Sequence, residues 1–313
     1  MEYEHPKDKL ALENLRKVPI LPQLIKLIQT PSNSICRLKH TASFVRLNEK
    51  QIPSVYKLLR EACEIIEVDE PTVYLDTTGE INAYVLCVDK PIMCLTSQLL
   101  DVFDEDELMF VIGHELAHIK AGHLIYKTLA NFMTLGILEA TLALVPGAGL
   151  VSEGLSTGLK YALFEWYRAG ELTCDRGGYL VCQNFTACCR ALMKLAGWSA
   201  KYVNEMNLDE FMAQAREYEE VGSDTFGTIQ KIILSIGAST HPFAVSRVSE
   251  LLKFDEDGTY LDILQRKTEI IASEISQNPV VPPTPPVPVG EAAQEALDSV
   301  KKLGGSLLSR FRQ

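Results

Sequence analysis

The chain has 313 residues, 47% hydrophobic and 23% charged, with a formal net charge of -11. That length and composition support a full core in one large or two modest domains, and the acidic balance excludes a nucleic-acid partner, which needs a basic face. Eight cysteines (Cys36, Cys63, Cys87, Cys94, Cys174, Cys182, Cys188, Cys189) occur without a C-x-x-C pair or a secretory signal, so reduced, mostly buried thiols are expected.

The N-terminus, MEYEHPKDKLALENLRK, is charged throughout and has no apolar run or cleavage site. It reads as no signal peptide, the expectation for a cytoplasmic chain that is at most peripherally membrane-associated. Residues 1–52 read as an N-terminal helical extension, interrupted by Pro22 and Pro31 and without a chemical motif. From residue 53 to 68, Val55, Leu58, Leu59, Cys63, Ile65 and Ile66 recur at helical spacing. The runs PTVYLDT, INAYVLCV and PIMCLTS then switch to β-rich texture, separated by the turn signals TGE and DKP, and predict a small sheet over residues 71–97.

FDEDELMFVIGHELAHIKAGHLIYK reads as one long helix with acidic residues in its first turn, where the helix dipole favours them. The apolar stretch at 128–151 is long enough to span a bilayer but carries Asn131 and a near-central Glu139, and breaks at Pro146 and Gly147. A carboxylate at mid-bilayer costs about 2.5–3.5 kcal/mol on insertion scales. The segment is therefore expected as buried helices or a hairpin touching a membrane surface, inserted in a domain covering residues 53–276. Six prolines between residues 279 and 288 define an extended linker over 277–290. Residues 291–313 place Ala293, Leu297, Val300, Leu307 and Phe311 near one face with Lys301, Lys302, Arg310 and Arg312 beside them. This C-terminal amphipathic helix suits a membrane surface, a protein partner or an inhibitory contact.

Three of the six histidines fall within VIGHELAHIKAGH. At 100° per residue, His114 and His118 lie about 40° apart on one helical face and can share a tetrahedral metal. Glu115 is offset from both and can reach the remaining coordination space as a base on water, whose pKa zinc lowers from about 16 to about 7. A third ligand is needed. The extended pattern H-E-x-x-H-x-x-G-x-x-H is excluded, because Ala121 and Leu124 stand where it needs Gly and His, and His123 is one residue out of register. A later glutamate remains: Glu139, Glu153, Glu165 or Glu171. ELTCD favours Glu171, since Asp175 lies four residues on and can hold a ligand histidine by its other ring nitrogen.

GHELAHIKAGH, RAGELTCDRGG and THPFAVSRV, in this order, resemble the zinc metallopeptidases related to HtpX and the CAAX prenyl proteases, over roughly residues 53–255. The resemblance implies an α+β, mostly helical zincin-like metalloprotease fold with a small β-sheet beside the HExxH helix. It implies one Zn2+ per chain held by His114, His118 and Glu171, with Glu115 as catalytic base and Asp175 orienting a ligand histidine. It further implies His241 as oxyanion stabiliser, Arg247 as support for the cleft, and Asn82, Ala83 and Tyr84 as the edge strand that holds the substrate backbone. Cys174 departs from the small alanine usual before the aspartate, a change expected to preserve helix packing.

The expected function is zinc-dependent endopeptidase activity on a peptide or protein substrate, with Glu115 moving the proton. The rival is a catalytically weak zinc-binding adaptor, acting at a membrane or with a chaperone partner through the C-terminal helix. The intact Glu115 weighs against it.

Overall fold

The computed structural model describes residues 1–18, 21–134, 153–220 and 243–277. Two N-terminal helices, α1 (Pro6–Arg16) and α2 (Leu21–Ser43), precede a short strand β1 (Val45–Arg46) and helix α3 (Pro53–Ile66). Strands β2 (Thr72–Asp76), β3 (Ala83–Leu86) and β4 (Ile92–Thr96) lead through α4 (Ser97–Val102) to α5 (Glu105–Lys120) and α6 (Leu124–Thr134). Then come α7 (Glu153–Cys182), α8 (Phe185–Ala196), a 3-10 turn at Val203–Glu205, α9 (Leu208–Glu220), α10 (Ala244–Glu256) and α11 (Thr259–Gln277). The chain divides into two compact units, Met1–Leu261 and Asp262–Gln313. In the second, the described residues 262–277 continue α11.

The sheet is mixed, in the order β1-β2-β4-β3. β2 and β4 run parallel, pairing Val73 with Met93 and Leu75 with Leu95, while β3 runs antiparallel to β4, pairing Ala83 with Leu95 and Tyr84 with Cys94. All of β4 is buried, as a central strand covered on both faces requires. β1 was not expected from the sequence; two residues carry no readable alternation. The mostly helical α+β architecture agrees with the expected fold class.

Helix α5 carries an unbroken apolar run, Leu108–Ile112, which covers more than one face and must be enclosed. It packs against α3, α7, α8 and β3, and every residue from Glu107 to His118 is buried. Its start is a capping box: Asp104 accepts from the Glu107 amide at 2.9 Å while the Glu107 carboxylate accepts from the Asp104 amide at 2.9 Å. Buried Glu107 also receives Arg190 at 3.0 Å and Lys194 at 2.6 Å, which compensate its charge.

Glycines let α5 and α7 approach closely. A Cβ on Gly178 would lie 2.6 Å from the Phe110 carbonyl oxygen, and one on Gly113 would lie 2.6 Å from Val181 Cβ. His114 follows one of these glycines and Asp175 precedes the other by less than a turn. The crossing therefore brings short side chains from the two helices together.

The single long helix expected over residues 103–127 is two helices. Gly122 adopts φ 69, its amide donates to Ile119 O at 3.1 Å, and the His123 amide donates to His118 O at 3.0 Å. These two bonds form a Schellman motif, which a left-handed glycine permits and which stops the helix despite continuous apolar spacing. Of the apolar stretch 128–151, residues 128–134 belong to α6 and the rest lie outside the described residues, as does everything from 278 onward, including the Pro-rich linker and the C-terminal segment. Among the described residues, no helix is long and apolar enough to cross a membrane.

Candidate metal centre and active site

One turn of α5 separates His114 from His118, whose ring centroids stand 5.0 Å apart at 80°. Helix α7, held close by the glycine crossing, carries Glu171 between them. His114 Nε2 lies 3.3 Å from Glu171 Oε2, and His118 Nε2 lies 3.2 Å from Glu171 Oε1. All three side chains are buried. Two imidazole nitrogens and a carboxylate oxygen converging from two rigid helices match the three-ligand donor set of a metal site with a position left open. The described geometry fits a divalent metal.

The charged groups around the two histidines act on them in opposite directions. Burial works against charge on His114, yet the carboxylates of Asp175 and Glu171 outweigh it and lift the imidazole to about 9. The field that favours a proton on His114 equally favours a cation. His118 goes the other way, driven well down by burial and then by the Lys127 ammonium, which stands 3.3 Å from its Nε2.

His114, His118 and Cys174 also offer donor atoms within 4.8 Å of one another. Cys174 Sγ also sits 3.6 Å from His123 Nδ1. Burial pushes that thiol well up. Glu171, with one carboxylate oxygen near each Nε2, and Cys174 are thus the two candidates for a third donor.

Behind His114, Nδ1 donates to Asp175 Oδ1 at 2.9 Å. Asp175 in turn accepts two bonds from Arg247, 2.8 Å from Nε to Oδ2 and 2.6 Å from Nη2 to Oδ1. Burial alone would raise the Asp175 carboxyl, but the paired guanidinium holds it below the usual aspartate value. Arg247 is thus bonded to the carboxylate behind the histidine. Glu115 is buried beside His114 on α5.

β3 is the sheet edge, with no strand on its outer side among the described residues. Asn82 donates its amide to Thr96 Oγ1 and accepts from the Thr96 amide, both at 3.0 Å. Tyr84 donates its hydroxyl to Asp76 at 2.6 Å.

Of the other glutamates considered, Glu165 is exposed and pairs with Arg168 at 2.6 Å, away from the histidines. Glu139, the Glu153 side chain and His241 lie outside the described residues. Half-buried Lys127, 5.1 Å over the Tyr167 ring and 4.0 Å from Glu171, also stands beside the candidate ligands. A lysine ending an apolar helical run usually marks a solvated end, so no sequence signal distinguished it.

The model of peptidase family M48 matches residues 48–255. The chain is 31% identical over 268 residues to the plastoglobule-localized metallopeptidase 48, chloroplastic, of Arabidopsis thaliana, covering 85% of this chain and 75% of that one. It is 25% identical over 242 residues to a protease HtpX homolog of Burkholderia thailandensis, covering 68% and 78% of the two chains. With protease HtpX homolog 2 of Methanosarcina mazei it shares 24% identity over 233 residues, 67% and 76% of the chains. No solved structure matches it. The family match spans every candidate site residue from Asn82 to Arg247, and the chain accordingly belongs to peptidase family M48 and is a metal-dependent peptidase.

Proposed function

We propose that the chain is a zinc endopeptidase in which His114, His118 and Glu171 hold one zinc ion and Glu115 is the general base. The observation that carries this reading is the meeting of both Nε2 atoms with one Glu171 carboxylate, at 3.3 and 3.2 Å. Two nitrogens and one oxygen suit zinc, whereas magnesium and calcium sites are built from oxygen alone. When bound, zinc supplies Lewis acidity to the scissile carbonyl and to water. Glu115 accepts the proton of the attacking water at its carboxylate and delivers it to the leaving amide nitrogen. Asp175 keeps the His114 proton on Nδ1, so that Nε2 remains the metal-facing nitrogen. His241 is assigned the oxyanion, a donor contribution worth about 3–4 kcal/mol in other hydrolases.

The substrate is an extended peptide added to β3. Because the Asn82 main chain turns toward Thr96, strand alternation turns the Ala83 N–H and C=O to the open edge. Main-chain pairing there is tolerant of sequence, and Tyr84, anchored on Asp76, stiffens the strand. Residues 291–313 are assigned weak, salt-sensitive contact with an anionic membrane surface.

The decisive comparison is Glu115→Gln. That variant should bind one zinc per chain with wild-type affinity and lose peptidase activity, because an amide cannot accept the proton. Wild-type turnover would sink the assignment of the base. Glu171→Ala should lose zinc at limiting metal; full occupancy there would move the third ligand elsewhere.

A further inference from the structure

We propose that Asp8, on the N-terminal helix, is a positioning residue of the metal centre and acts on His118 through His123. The inference rests on the reading of His118 as a metal ligand. The left-handed turn at Gly122 brings His123 back against the helix it has just left, with its amide on His118 O at 3.0 Å. Its Nδ1 then lies 3.0 Å from His118 Nδ1, and its Nε2 lies 3.2 Å from Asp8 Oδ2. Both His123 and Asp8 are buried, at 1% and 0% exposure.

The niche around His123 is built to hold one ring orientation. Trp166 stands edge-on at 5.1 Å and 86°. Gly170 leaves the space, since a Cβ there would come 3.1 Å from His123 Cε1. Asp8 is fixed in turn: Thr173 donates its hydroxyl to Asp8 Oδ2 at 2.6 Å and accepts the His5 amide at 3.1 Å. Thr173 sits on α7 between Glu171 and Asp175, so the same turn of helix anchors the ligand, its neighbour and the N-terminal segment.

Proton accounting sets the direction of the relay. A metal on His118 Nε2 leaves the ring proton on Nδ1, which donates to His123 Nδ1. The His123 proton then resides on Nε2 and donates to Asp8. Each metal-facing histidine therefore ends on a buried carboxylate, His114 directly on Asp175 and His118 by way of His123 on Asp8. A carboxylate behind a ligand histidine fixes its tautomer and raises its basicity. Asp8 lies outside residues 48–255, so a segment beyond the family match supplies part of this chain's metal centre.

The test uses the full chain, with zinc affinity measured by chelator competition and the ligand field read from the visible spectrum of the cobalt-substituted protein. Asp8→Asn should weaken zinc binding on the order of 10- to 100-fold and shift the cobalt bands. His123→Gln should do the same, and the double variant should bind no more weakly than the weaker single one, because both cut a single path. Glu250→Gln serves as the control: it loosens His5 and Lys7 of the same segment and should leave zinc affinity within about twofold of wild type. The proposal is overturned if Asp8→Asn binds zinc within about twofold of wild type, if the single losses multiply in the double variant, or if Glu250→Gln weakens binding as much. His123→Gln, altered on a different element, decides alone if Asp8→Asn folds poorly; wild-type affinity in it overturns the relay. His118→Ala separates this from the underlying reading. Undiminished zinc binding there refutes the ligand assignment, whereas loss there beside wild-type binding in Asp8→Asn refutes the relay only.

Discussion

Arg247 and Asp175 form a buried ion pair directly behind His114. Both are buried, and the guanidinium meets the carboxylate through two hydrogen bonds at 2.6 and 2.8 Å. Removing one partner of a buried pair strands the other's charge at a cost of about 3–5 kcal/mol. Arg247→Ala should therefore lower the unfolding free energy by about that amount in denaturant titrations and weaken metal binding with it. Arg247→Lys should lose less, keeping the charge but not the fork. Glu250 supplies the pH-dependent case. Donation from His5 holds its carboxyl far below the usual glutamate value, with Lys7 and Lys253 reinforcing this against the opposing effect of burial. A depressed carboxyl pKa stabilises the fold above the unfolded value near 4.3 and loses that contribution as pH falls through the depressed one. Glu250→Gln should thus lower Tm at pH 7 by a few degrees, about 1–2 kcal/mol, and the gap to wild type should narrow below pH 4. A gap that stays constant with pH would show that charge is not its source. The histidine pair and Glu115 could be read from the sequence because four residues of helix set their relation. Lys127 could not, since its place depends on where α6 lands.

At the scale of elements, the contact of α5 with α7 depends on glycine. A Cβ on Gly178 would press on the Phe110 carbonyl, a backbone atom that cannot swing aside. Gly178→Ala should force the helices apart and cost about 1–3 kcal/mol, and because His114 and Glu171 sit on the two helices it should weaken metal binding too. Thermal melts with and without zinc would separate the two effects; an unchanged zinc-dependent shift in Tm would show that the crossing distance does not tune the site. Gly122→Ala belongs to the same scale. A side chain at φ 69 costs about 1 kcal/mol, and a loosened Schellman turn should let His123 drift from His118. One helix over residues 103–127 is the natural reading of the sequence, because helical texture runs through both α5 and α6. The stop resides in two backbone hydrogen bonds that periodicity does not register.

For the whole molecule, a metal that binds the folded chain and not the unfolded one stabilises it by mass action. Chelation should lower Tm, most steeply for the unit Met1–Leu261 that contains every described candidate ligand. Equal melting with and without chelator would argue that the three donors do not share an ion. Truncation after Gln277 should leave turnover of a short peptide intact and reduce sedimentation with anionic liposomes. A several-fold rise in turnover with unchanged liposome binding would instead mark the tail as inhibitory. By itself the sequence determined most of the helical and β-rich segments and the placing of His114, Glu115 and His118 on one helix, and it pointed to Glu171 as a candidate, because these follow from periodicity and spacing within single elements or from motifs in a recognisable order. Only the tertiary structure decided that Gly122 divides the helix, that Lys127 enters the site, and that Asp8 reaches His123 across more than a hundred positions of chain. Those relations arise where backbones cross at glycine and where a buried carboxylate must find a donor, and the atoms that satisfy it are neighbours in space without being neighbours in any local pattern.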